Sequence, residues 1–313
     1  MEIRNLGRSG LRVSLIGLGC NNFGERVEQE QARQIVHKAL DLGVTLFDTA
    51  DRYGGVGGSE KALGEIFGPA RKDIVLASKF GIDPGNRTQL SGASRRYIMA
   101  AVEASLKRLK TDWIDLYQIH RADPLTPIEE TMRTFEDLIR QGKIRYAGVS
   151  NFAGWQVTEA AWTAKHLGLS PPISVQDEYS LAYRGHEKEL IPALEAAGMG
   201  LLPYRPLASG ILTGKYKRNQ PLPEGSRLQK MKHHAVKYAQ DANFDVAEKL
   251  GVFAESRGHT LVELAFSWLA TKPFIASIIP GATSPAQVAE NVAAVGWRLT
   301  AADLAEVDKI LAG

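Results

Sequence analysis

The sequence predicts an α/β protein folded as a (β/α)8 barrel, and three observations lead to this fold class. Short apolar segments alternate with amphipathic segments along nearly the whole chain of 313 residues. Eight such strand–helix units follow one another, and this alternation implies parallel strands covered by helices. The length suits a single barrel domain over residues 1–313, and no linker suggests two domains. A closed barrel is therefore favoured over an open doubly wound sheet.

The predicted elements can be placed in order. Residues 2–5 and 12–14 flank a glycine-containing turn and predict an N-terminal β-hairpin. Helix 28–42 is indicated by apolar residues at helical spacing, with Gly43 as its stop. Ser94 is a candidate cap, and Pro127 suits a first helical turn. Strands are predicted at 14–19, 44–47, 74–78, 114–119, 144–149, 173–175, 200–202 and 275–279. The other helices are predicted at 59–66, 94–109, 127–141, 155–167, 187–197, 245–257, 261–270, 285–295 and 301–311.

Residues 205–243, which follow the predicted strand 7, form the longest interruption and are rich in glycine, proline and basic residues. A loop of this length inside a compact domain is normally a lid or a binding loop. It could also be a solvated excursion on the surface. We call residues 205–243 the strap, because the functional interpretation is a segment that crosses an anionic ligand.

Composition excludes several classes of protein. With 44% hydrophobic and 23% charged residues, the chain can bury a large core. A net charge of +3 without a long run of like charges does not indicate a nucleic-acid or membrane surface. A single cysteine, Cys20, excludes an internal disulfide and suits a reducing compartment. No apolar stretch reaches the length of a membrane span, and no signal peptide is evident. We therefore expect a soluble, cytoplasmic protein.

Polar residues follow the predicted strands at the ends where active sites of parallel barrels lie. Any one of them is more often structural than catalytic. Together they include a carboxylate, an ammonium and an imidazole, and Tyr53 stands five residues after the carboxylate. In strand order these residues are Asn21 or Asn22, Asp48, Lys79, His120, Ser150 with Asn151, Gln176, Tyr204 and Gly281.

The side-chain types point to acid–base chemistry on a carbonyl group. A free tyrosine has a pKa of about 10, and a nearby Lys79 ammonium is expected to lower it. Asp48 would keep Lys79 charged and oriented, while His120 would bond a substrate oxygen or share the proton. No nucleophile and no metal-binding motif accompanies them. A carbonyl acid without a nucleophile needs an external hydride, so a nicotinamide cofactor is inferred.

A phosphate site is predicted where the eighth strand runs into a helix near Pro285. Free backbone N–H groups at a helix start favour phosphate, and barrels often bind phosphate after strands seven and eight. The alternative is an ordinary helix cap at Ser284. The segment GLGCNN at residues 17–22 resembles the start of a Rossmann fingerprint, but it lacks the third glycine and a following helix. A Rossmann site is therefore rejected.

Eight characteristic segments follow one another along the chain: GLGCNNFG, FDTADRYGGVGGSE, LASKFG, DLYQIHRAD, GKIRYAGVSNF, VQDEYS, PYRPLASGILTGKY and IPGATSPAQVAEN. In these segments and in their order, the sequence resembles the aldo-keto reductase family over nearly its whole length. The resemblance implies a barrel whose N-terminal hairpin closes the bottom and whose open face binds NADP(H). It also implies that Asp48, Tyr53, Lys79 and His120 are catalytic, with Tyr53 as proton donor, acting on a small-molecule carbonyl or alcohol.

The same resemblance implies the cofactor contacts. Ser150, Asn151 and Gln176 would hold the nicotinamide amide, and Tyr204 would stack on the ring. Residues 205–209 would surround the diphosphate with two basic residues of the strap, and a group after strand eight would meet the adenosine end. The implied set is Cys20, Asn21, Asp48, Ser150, Asn151, Gln176, Tyr204, Arg205, Pro206, Leu207, Ala208, Ser209, Lys215, Arg227, Gly281, Thr283, Gln287, Glu290 and Asn291.

Three departures from the family pattern are visible. Arg205 stands where many members have a small hydroxyl residue. Thr283 stands where a basic residue often grips the 2′-phosphate, so NAD is possible beside NADP. The chain ends at Gly313 without the long C-terminal loop of animal carbonyl-reducing members. The substrate mouth is then expected to be formed by residues 23–28, 80–92, 121–125 and the strap.

The sequence leaves three functions open. The first is an aldehyde or ketone reductase that could also run in reverse. The second is a cofactor-binding regulatory subunit like the potassium-channel β-subunits, which lack a histidine at the position of His120. The third is a sugar or pyridoxal-type dehydrogenase that uses NAD. A monomer or weak homo-oligomer is expected, with no nucleic-acid or membrane partner.

Overall fold

A parallel sheet of seven strands, with helices around it, forms most of a barrel. The computed structural model describes residues 1–82 and 91–312. A separate antiparallel hairpin comes first, formed by β1 (Ile3–Asn5) and β2 (Arg12–Ser14). The parallel strands pair in sequence order, as expected for consecutive strand–helix units. They are β3 (Leu18–Gly19), β4 (Leu46–Asp48), β5 (Val75–Phe80), β6 (Ile114–Ile119), β7 (Ile144–Ser150), β8 (Ser174–Glu178) and β9 (Gly200–Tyr204).

The segment 275–281 closes the barrel between β9 and β3. Ile275 and Ile279 bridge to β9, while Ile278 and Gly281 bridge to Ile16 and Gly19 on the other side. Backbone hydrogen bonds run to both neighbours, among them Gly19 N–H to the Pro280 carbonyl at 2.8 Å. The segment therefore occupies the eighth strand position, and the fold is the predicted (β/α)8 barrel.

Most predicted strands differ from the observed ones by up to three residues at an end, and two of them, 275–279 and 14–19, differ more. The strand predicted at 275–279 is a series of isolated bridges. Pro203 in β9 has no N–H to donate to this segment, so one hydrogen bond of a regular ladder is missing. The Pro203 carbonyl then accepts from the Ile279 N–H rather than from that of Ile278, which shifts the register by one residue. The strand predicted at 14–19 is reduced to Leu18–Gly19, since its neighbour is this irregular segment. At the start of the predicted strand, Ser14 instead bonds Thr45: each residue donates its backbone N–H to the side-chain hydroxyl of the other.

Helices lie between successive strands close to the predicted positions. Ser94 caps α3 by accepting from the Tyr97 N–H, as expected, whereas Pro127 precedes α4 as its cap residue. Helices α1–α6 span Gln29–Asp41, Gly58–Phe67, Arg95–Leu109, Ile128–Arg140, Gly154–His166 and Leu190–Ala197. Helices α7–α12 span Arg227–Lys230, Lys232–Tyr238, Asp241–Ser256, Leu261–Ala270, Pro285–Ala293 and Ala301–Ala312. No helix among the described residues is long and apolar enough to span a membrane.

The strap is more ordered than a plain loop. It contains a 3-10 turn at Ala208–Thr213 and the short helices α7 and α8. Leu228 and Tyr238 are buried, so the strap packs on the barrel rather than projecting as a solvated excursion. It follows β9, the seventh strand of the barrel, and therefore begins at the open, carboxyl-end face.

The hairpin closes the opposite, amino-end face. Gly7 in its turn has a φ of +58°, and a Cβ there would meet the Gly198 carbonyl oxygen at 2.5 Å. Arg8 donates its backbone N–H to the same carbonyl, directly before β9 begins at Gly200. The turn thus lies against the start of β9 and covers this part of the amino-end face.

Two helical glycines provide a matched test of this packing. A Cβ on Gly64 in α2 would lie 2.3 Å from the Arg108 carbonyl oxygen of α3, whereas a Cβ on Gly251 in α9 meets nothing within 4 Å. Gly64→Ala should lower the free energy of unfolding by about 1–3 kcal/mol. Gly251→Ala should raise it by about 0.5–1 kcal/mol because alanine is the better helix former. Denaturant unfolding of both variants measures this, and a neutral Gly64→Ala would contradict the close α2–α3 contact.

Candidate active site

A buried ion pair lies at the centre of the carboxyl-end face. The ammonium of Lys79, which is 0% exposed, lies 2.8 and 2.6 Å from the two carboxylate oxygens of Asp48. It also donates to the Thr49 carbonyl at 2.9 Å. Burial lowers the pKa of Lys79, but the charges of Asp48 and Tyr53 outweigh it and the pKa is raised. Lys79 is therefore a fixed positive charge.

Amide side chains from the far strands complete the shell of Asp48. Gln176, in β8, donates its amide to Asp48 Oδ1 at 2.8 Å, and Gln118 in β6 approaches the same oxygen at 3.4 Å. Asp48 ends β4 and Lys79 lies in β5. Four strands thus contribute to one polar cluster across the mouth of the barrel. This cluster fixes the direction in which the Lys79 ammonium points.

Tyr53 lies directly above this pair. Its hydroxyl is 3.4 Å from the Lys79 ammonium, and its ring is 5.6 Å from that of His120 between centroids. Burial raises the pKa of Tyr53, and the Lys79 charge offsets this only in part. The predicted net lowering of the Tyr53 pKa is therefore wrong for this structure. The predicted direction of the Lys79 contribution is right, but the desolvation of a partly buried phenol exceeds it.

His120 follows β6 and faces the same space as Tyr53. Burial lowers the pKa of His120 well below its usual value, and the charges of Lys79, Arg121 and Arg52 lower it further. The imidazole is therefore neutral at physiological pH. Within the described residues its buried Nδ1 atom has no hydrogen-bond partner. A neutral ring with one N–H can donate to, or accept from, a ligand oxygen.

The residues predicted at the strand ends line one cavity of ≈ 390 Å³. The structure brings together Asn21, Asp48, Tyr53, His120, Ser150, Asn151, Gln176, Tyr204, Arg205, Arg227 and Gly281. Asn151, with φ of +55°, donates to the His120 carbonyl at 2.9 Å and accepts from the Tyr204 hydroxyl at 2.7 Å. Lys79 is covered by these residues and acts on the cavity through its charge. The mouth residues 83–90 lie outside the described part of the chain.

A second cavity of ≈ 350 Å³ continues from the first and shares Arg205, Arg227 and Gly281 with it. Its lining includes the predicted residues Pro206, Leu207, Ser209, Lys215, Gln287, Glu290 and Asn291. Apart from the covered Lys79, three of the predicted residues, all from the cofactor-binding set, line neither cavity. The Cys20 and Ala208 side chains are fully buried, and Thr283 bonds the Gln287 side chain instead. Burial also raises the pKa of the Cys20 thiol.

Glu178 and Lys237 line the first cavity although sequence reasoning missed them. Glu178 ends β8 and is nearly buried; it accepts from the Lys237 ammonium at 2.6 Å and from the Tyr238 hydroxyl. Arg205 donates to the Tyr238 hydroxyl at 2.8 Å. The position of Glu178 at a strand end was a usable signal, but its partners lie about sixty residues later in the chain. This carboxylate fastens α8 of the strap to the rim of the barrel.

His234, also in the strap, joins this contact. Its Nδ1 lies 2.8 Å from the Ser209 hydroxyl and its Nε2 lies 3.3 Å from Arg205. Burial, with the charges of Arg205 and Arg227, lowers the pKa of His234 to about 3. No metal-binding group of three or more His, Cys, Asp or Glu residues occurs within residues 1–82 and 91–312.

Another buried carboxylate, that of Asp51, stands two residues before Tyr53 in the chain. Asp51 is 7% exposed; it accepts from the Tyr97 hydroxyl at 3.1 Å, and its other oxygen has no partner among the described residues. Burial and the charge of Glu60 raise the pKa of Asp51 to about 7. Glu60 itself is ion-paired to Arg108 at 2.6 Å. Asp51 thus changes its charge near neutral pH.

Comparisons with known proteins agree with the geometry. The model of the Aldo/keto reductase family matches residues 15–312. The chain is 38% identical over 303 residues to an Arabidopsis thaliana protein named probable voltage-gated potassium channel subunit beta, covering 94% of this chain and 91% of that protein. It is 33% identical over 324 residues to L-glyceraldehyde 3-phosphate reductase of Escherichia coli O157:H7, covering 100% of this chain and 93% of that protein. It is 35% identical over 306 residues to the Bacillus subtilis uncharacterized oxidoreductase YrpG, covering 94% and 91%.

Asp51→Asn should remove a pH-dependent cost of folding. Because the folded-state pKa of Asp51 is raised, its contribution to stability is present at low pH and is lost as pH rises toward 7. The stability of Asp51→Asn relative to the original chain should therefore increase by on the order of 2 kcal/mol between about pH 5.5 and about pH 8. The histidines titrate in both chains, so their contribution to the pH dependence of stability cancels in the difference between the two chains.

Denaturant unfolding at both pH values measures this difference. Asp112→Asn, at an exposed aspartate without an ion pair in the described part of the chain, is the control for loss of charge. A relative stability of Asp51→Asn that does not change with pH would show that Asp51 is ionised throughout.

Proposed function

The chain belongs to the aldo/keto reductase family, and we propose that it is a nicotinamide-dependent oxidoreductase that interconverts small carbonyl compounds and alcohols. The observation that carries the proposal is the convergence of Tyr53, His120 and the Asp48–Lys79 pair on one cavity. Relatives named as a reductase and as an oxidoreductase support the same activity. Individual side chains have distinct roles in this proposed reaction.

The chemistry of the two joined cavities suits a nicotinamide dinucleotide. The first offers hydroxyl and amide groups of Ser150, Asn151 and Gln176 beside the Tyr204 ring, a set that can bond a carboxamide and cover an aromatic ring. The second offers Arg205, Lys215 and Arg227, cations that suit phosphates. Arg227 Nε is buried and has no partner among the described residues, as expected for a group that awaits a ligand. When bound, the cofactor would supply or accept the hydride.

Tyr53 is proposed as the group that gives the proton to the carbonyl oxygen and takes it back in the reverse direction. Lys79 stabilises the phenolate that remains, because its ammonium lies 3.4 Å from the phenol oxygen. Asp48 keeps Lys79 in place. The neutral His120 is proposed to orient the carbonyl oxygen through a hydrogen bond, since a protonated imidazole is disfavoured beside Lys79.

NADP(H) is the proposed cofactor, with NAD(H) as the alternative. In favour of NADP, the second cavity has three cations and a single carboxylate, that of Glu290. In favour of NAD, Thr283 offers no charge and its side chain is occupied by Gln287. Arg205 is also partly engaged, since it already bonds Tyr238. NADP is therefore favoured if Lys215 or Arg227 meets the 2′-phosphate, and NAD if both meet only the diphosphate that the two cofactors share.

A regulatory, cofactor-binding role is the second candidate, because relatives are named as potassium channel β-subunits. The complete set of acid–base residues favours turnover over this role. An NAD-dependent sugar-type dehydrogenase is a variant of the first proposal. The single domain, the cytoplasmic location and the monomeric or weakly oligomeric state remain predictions from the sequence.

Tyr53→Phe should lower kcat for aldehyde reduction by about 10²–10⁴-fold, because the general acid is lost while the ring remains. Cofactor affinity, read by the quenching of protein fluorescence, should change little. Tyr146→Phe is the matched control. This phenol lies near the amino end of β7, at the end of the barrel opposite to the candidate active site. Tyr53→Phe turnover at the original rate would remove Tyr53 from the proposal. Cofactor binding without turnover of any carbonyl or alcohol by the original chain would favour the regulatory role.

Titration with NADPH and NADH decides the cofactor. The 2′-phosphate adds a charge-assisted contact, so NADPH should bind at least about tenfold more tightly than NADH at low salt. Raising the ionic strength should narrow this difference, because exposed charges such as Lys215 are screened. Equal or tighter binding of NADH would replace NADP by NAD in the proposal.

A further inference from the structure

The cations around the first cavity divide into those with a partner and those without. Lys79 is paired with Asp48, and Lys237 with Glu178. Arg205 and Arg227 line both cavities and lie on the side where the cavities join. Arg121 lines only the first cavity, with Tyr53 and His120. It makes no ion pair or side-chain hydrogen bond with the residues that the structure describes.

Arg52 is a second cation whose charge reaches His120, although its side chain does not line the cavity. It directly precedes Tyr53 in the chain and, within the described residues, it likewise has no ion pair or side-chain hydrogen bond. Its charge and that of Arg121 both act on His120, whose pKa they lower after burial and Lys79. One arginine without a partner in the described part of the chain therefore shares the cavity with Tyr53 and His120, and the charge of a second one also acts on His120.

The carboxylates nearby do not neutralise them. Asp48 is committed to Lys79 and Gln176, and Glu178 to Lys237 and Tyr238. Asp51 is the acidic group next to Arg52, but its pKa of about 7 leaves it only partly charged at neutral pH. Asp123 is occupied by the N–H groups of Ala93 and Leu125 and by the Thr126 hydroxyl. The substrate side of the cavity therefore keeps an excess of positive charge.

We propose that Arg121, supported by the charge of Arg52, forms a binding site for an anionic group of the substrate, a carboxylate or a phosphate. This inference rests on the proposed carbonyl reductase function and names its substrate class. Neighbouring Cα atoms are about 3.8 Å apart, so each arginine begins one residue away from Tyr53 or His120. An anionic group held by Arg121 would therefore lie in the same cavity as Tyr53 and His120. Arginine is suited to either anion, since its planar group bonds two oxygens at once.

Matched substrates test the proposal and separate the two anions. Glyceraldehyde 3-phosphate is compared with glyceraldehyde, and succinic semialdehyde with butanal. For at least one pair, kcat/KM should be at least about tenfold higher for the charged member, and the preferred pair identifies phosphate or carboxylate. In Arg121→Gln and in Arg52→Gln this charged-to-neutral ratio should fall by about tenfold, the effect of one charge-assisted contact.

Arg298→Gln is the control, because it removes the same charge from an exposed arginine without an ion pair in the described part of the chain. It should leave the ratio unchanged. A ratio near one in the original chain, or a ratio that neither Arg52→Gln nor Arg121→Gln alters, overturns the anion site. Neutral aldehydes would still be reduced in that case, so the proposed function would stand.

A binding measurement decides the site without turnover. Calorimetry with 3-phosphoglycerate and with succinate, neither of which carries an aldehyde, is performed with and without NADP⁺. At least one of the two should bind the original chain, and its affinity should fall by about tenfold or more in the double variant Arg52→Gln/Arg121→Gln. Equal binding to both chains, or no binding of either compound to the original chain, overturns the proposal even if no aldehyde is reduced. Thermal unfolding of the double variant checks that the fold is intact.

Discussion

The ion pair between Asp48 and Lys79 is the constraint on which the rest of the site depends. An ammonium with no exposed surface is costly to bury unless a carboxylate compensates it. Here the carboxylate ends one strand, the ammonium lies in the next, and Gln176 reaches Asp48 from across the barrel. The pair therefore requires a closed barrel whose strands end at the same level. Loss of either partner would leave an uncompensated charge in the core of the mouth, so this polar centre is both a structural constraint and a source of electric field.

That field explains the states of the two side chains above it. Burial alone makes the Tyr53 phenolate and the His120 imidazolium unfavourable, and a fixed cation acts on the two in opposite directions. Lys79 favours the phenolate and opposes the imidazolium. The result is a neutral imidazole beside a phenol whose conjugate base has a cation 3.4 Å away. Such a pair can pass a proton from Tyr53 to an oxygen while His120 keeps a hydrogen-bonding role. A tyrosine with an acidic resting pKa is not required for this.

The sequence was informative where local pattern decides structure, and less so where distant contacts decide it. Parallel strands bring their carboxyl ends together, so apolar segments ending in Asp48, Lys79 and His120 were enough to predict one face. The eighth strand could not be predicted in detail, because its interruption depends on the missing N–H of Pro203 in a neighbouring strand. The net pKa of Tyr53 depends on how deeply the fold buries it, which no spacing reveals. Glu178 was missed because Lys237 and Tyr238, its partners, come from the strap.

Charge allocation connects these observations. The net charge of the chain is only +3, yet Asp48 and Glu178, the two carboxylates that line the first cavity, are each paired with a lysine, one in the barrel and one in the strap. Arg121 and Arg227, which form no ion pair in the described part of the chain, are thereby left to face the cavities, where low-dielectric walls concentrate their field. Glu178 also has a structural effect. Its ion pair with Lys237 holds α8 of the strap over the carboxyl-end opening of the barrel. The same few ion pairs that hold the strap and the barrel together thus determine that the site attracts anions, although the bulk composition of the chain gives no sign of it.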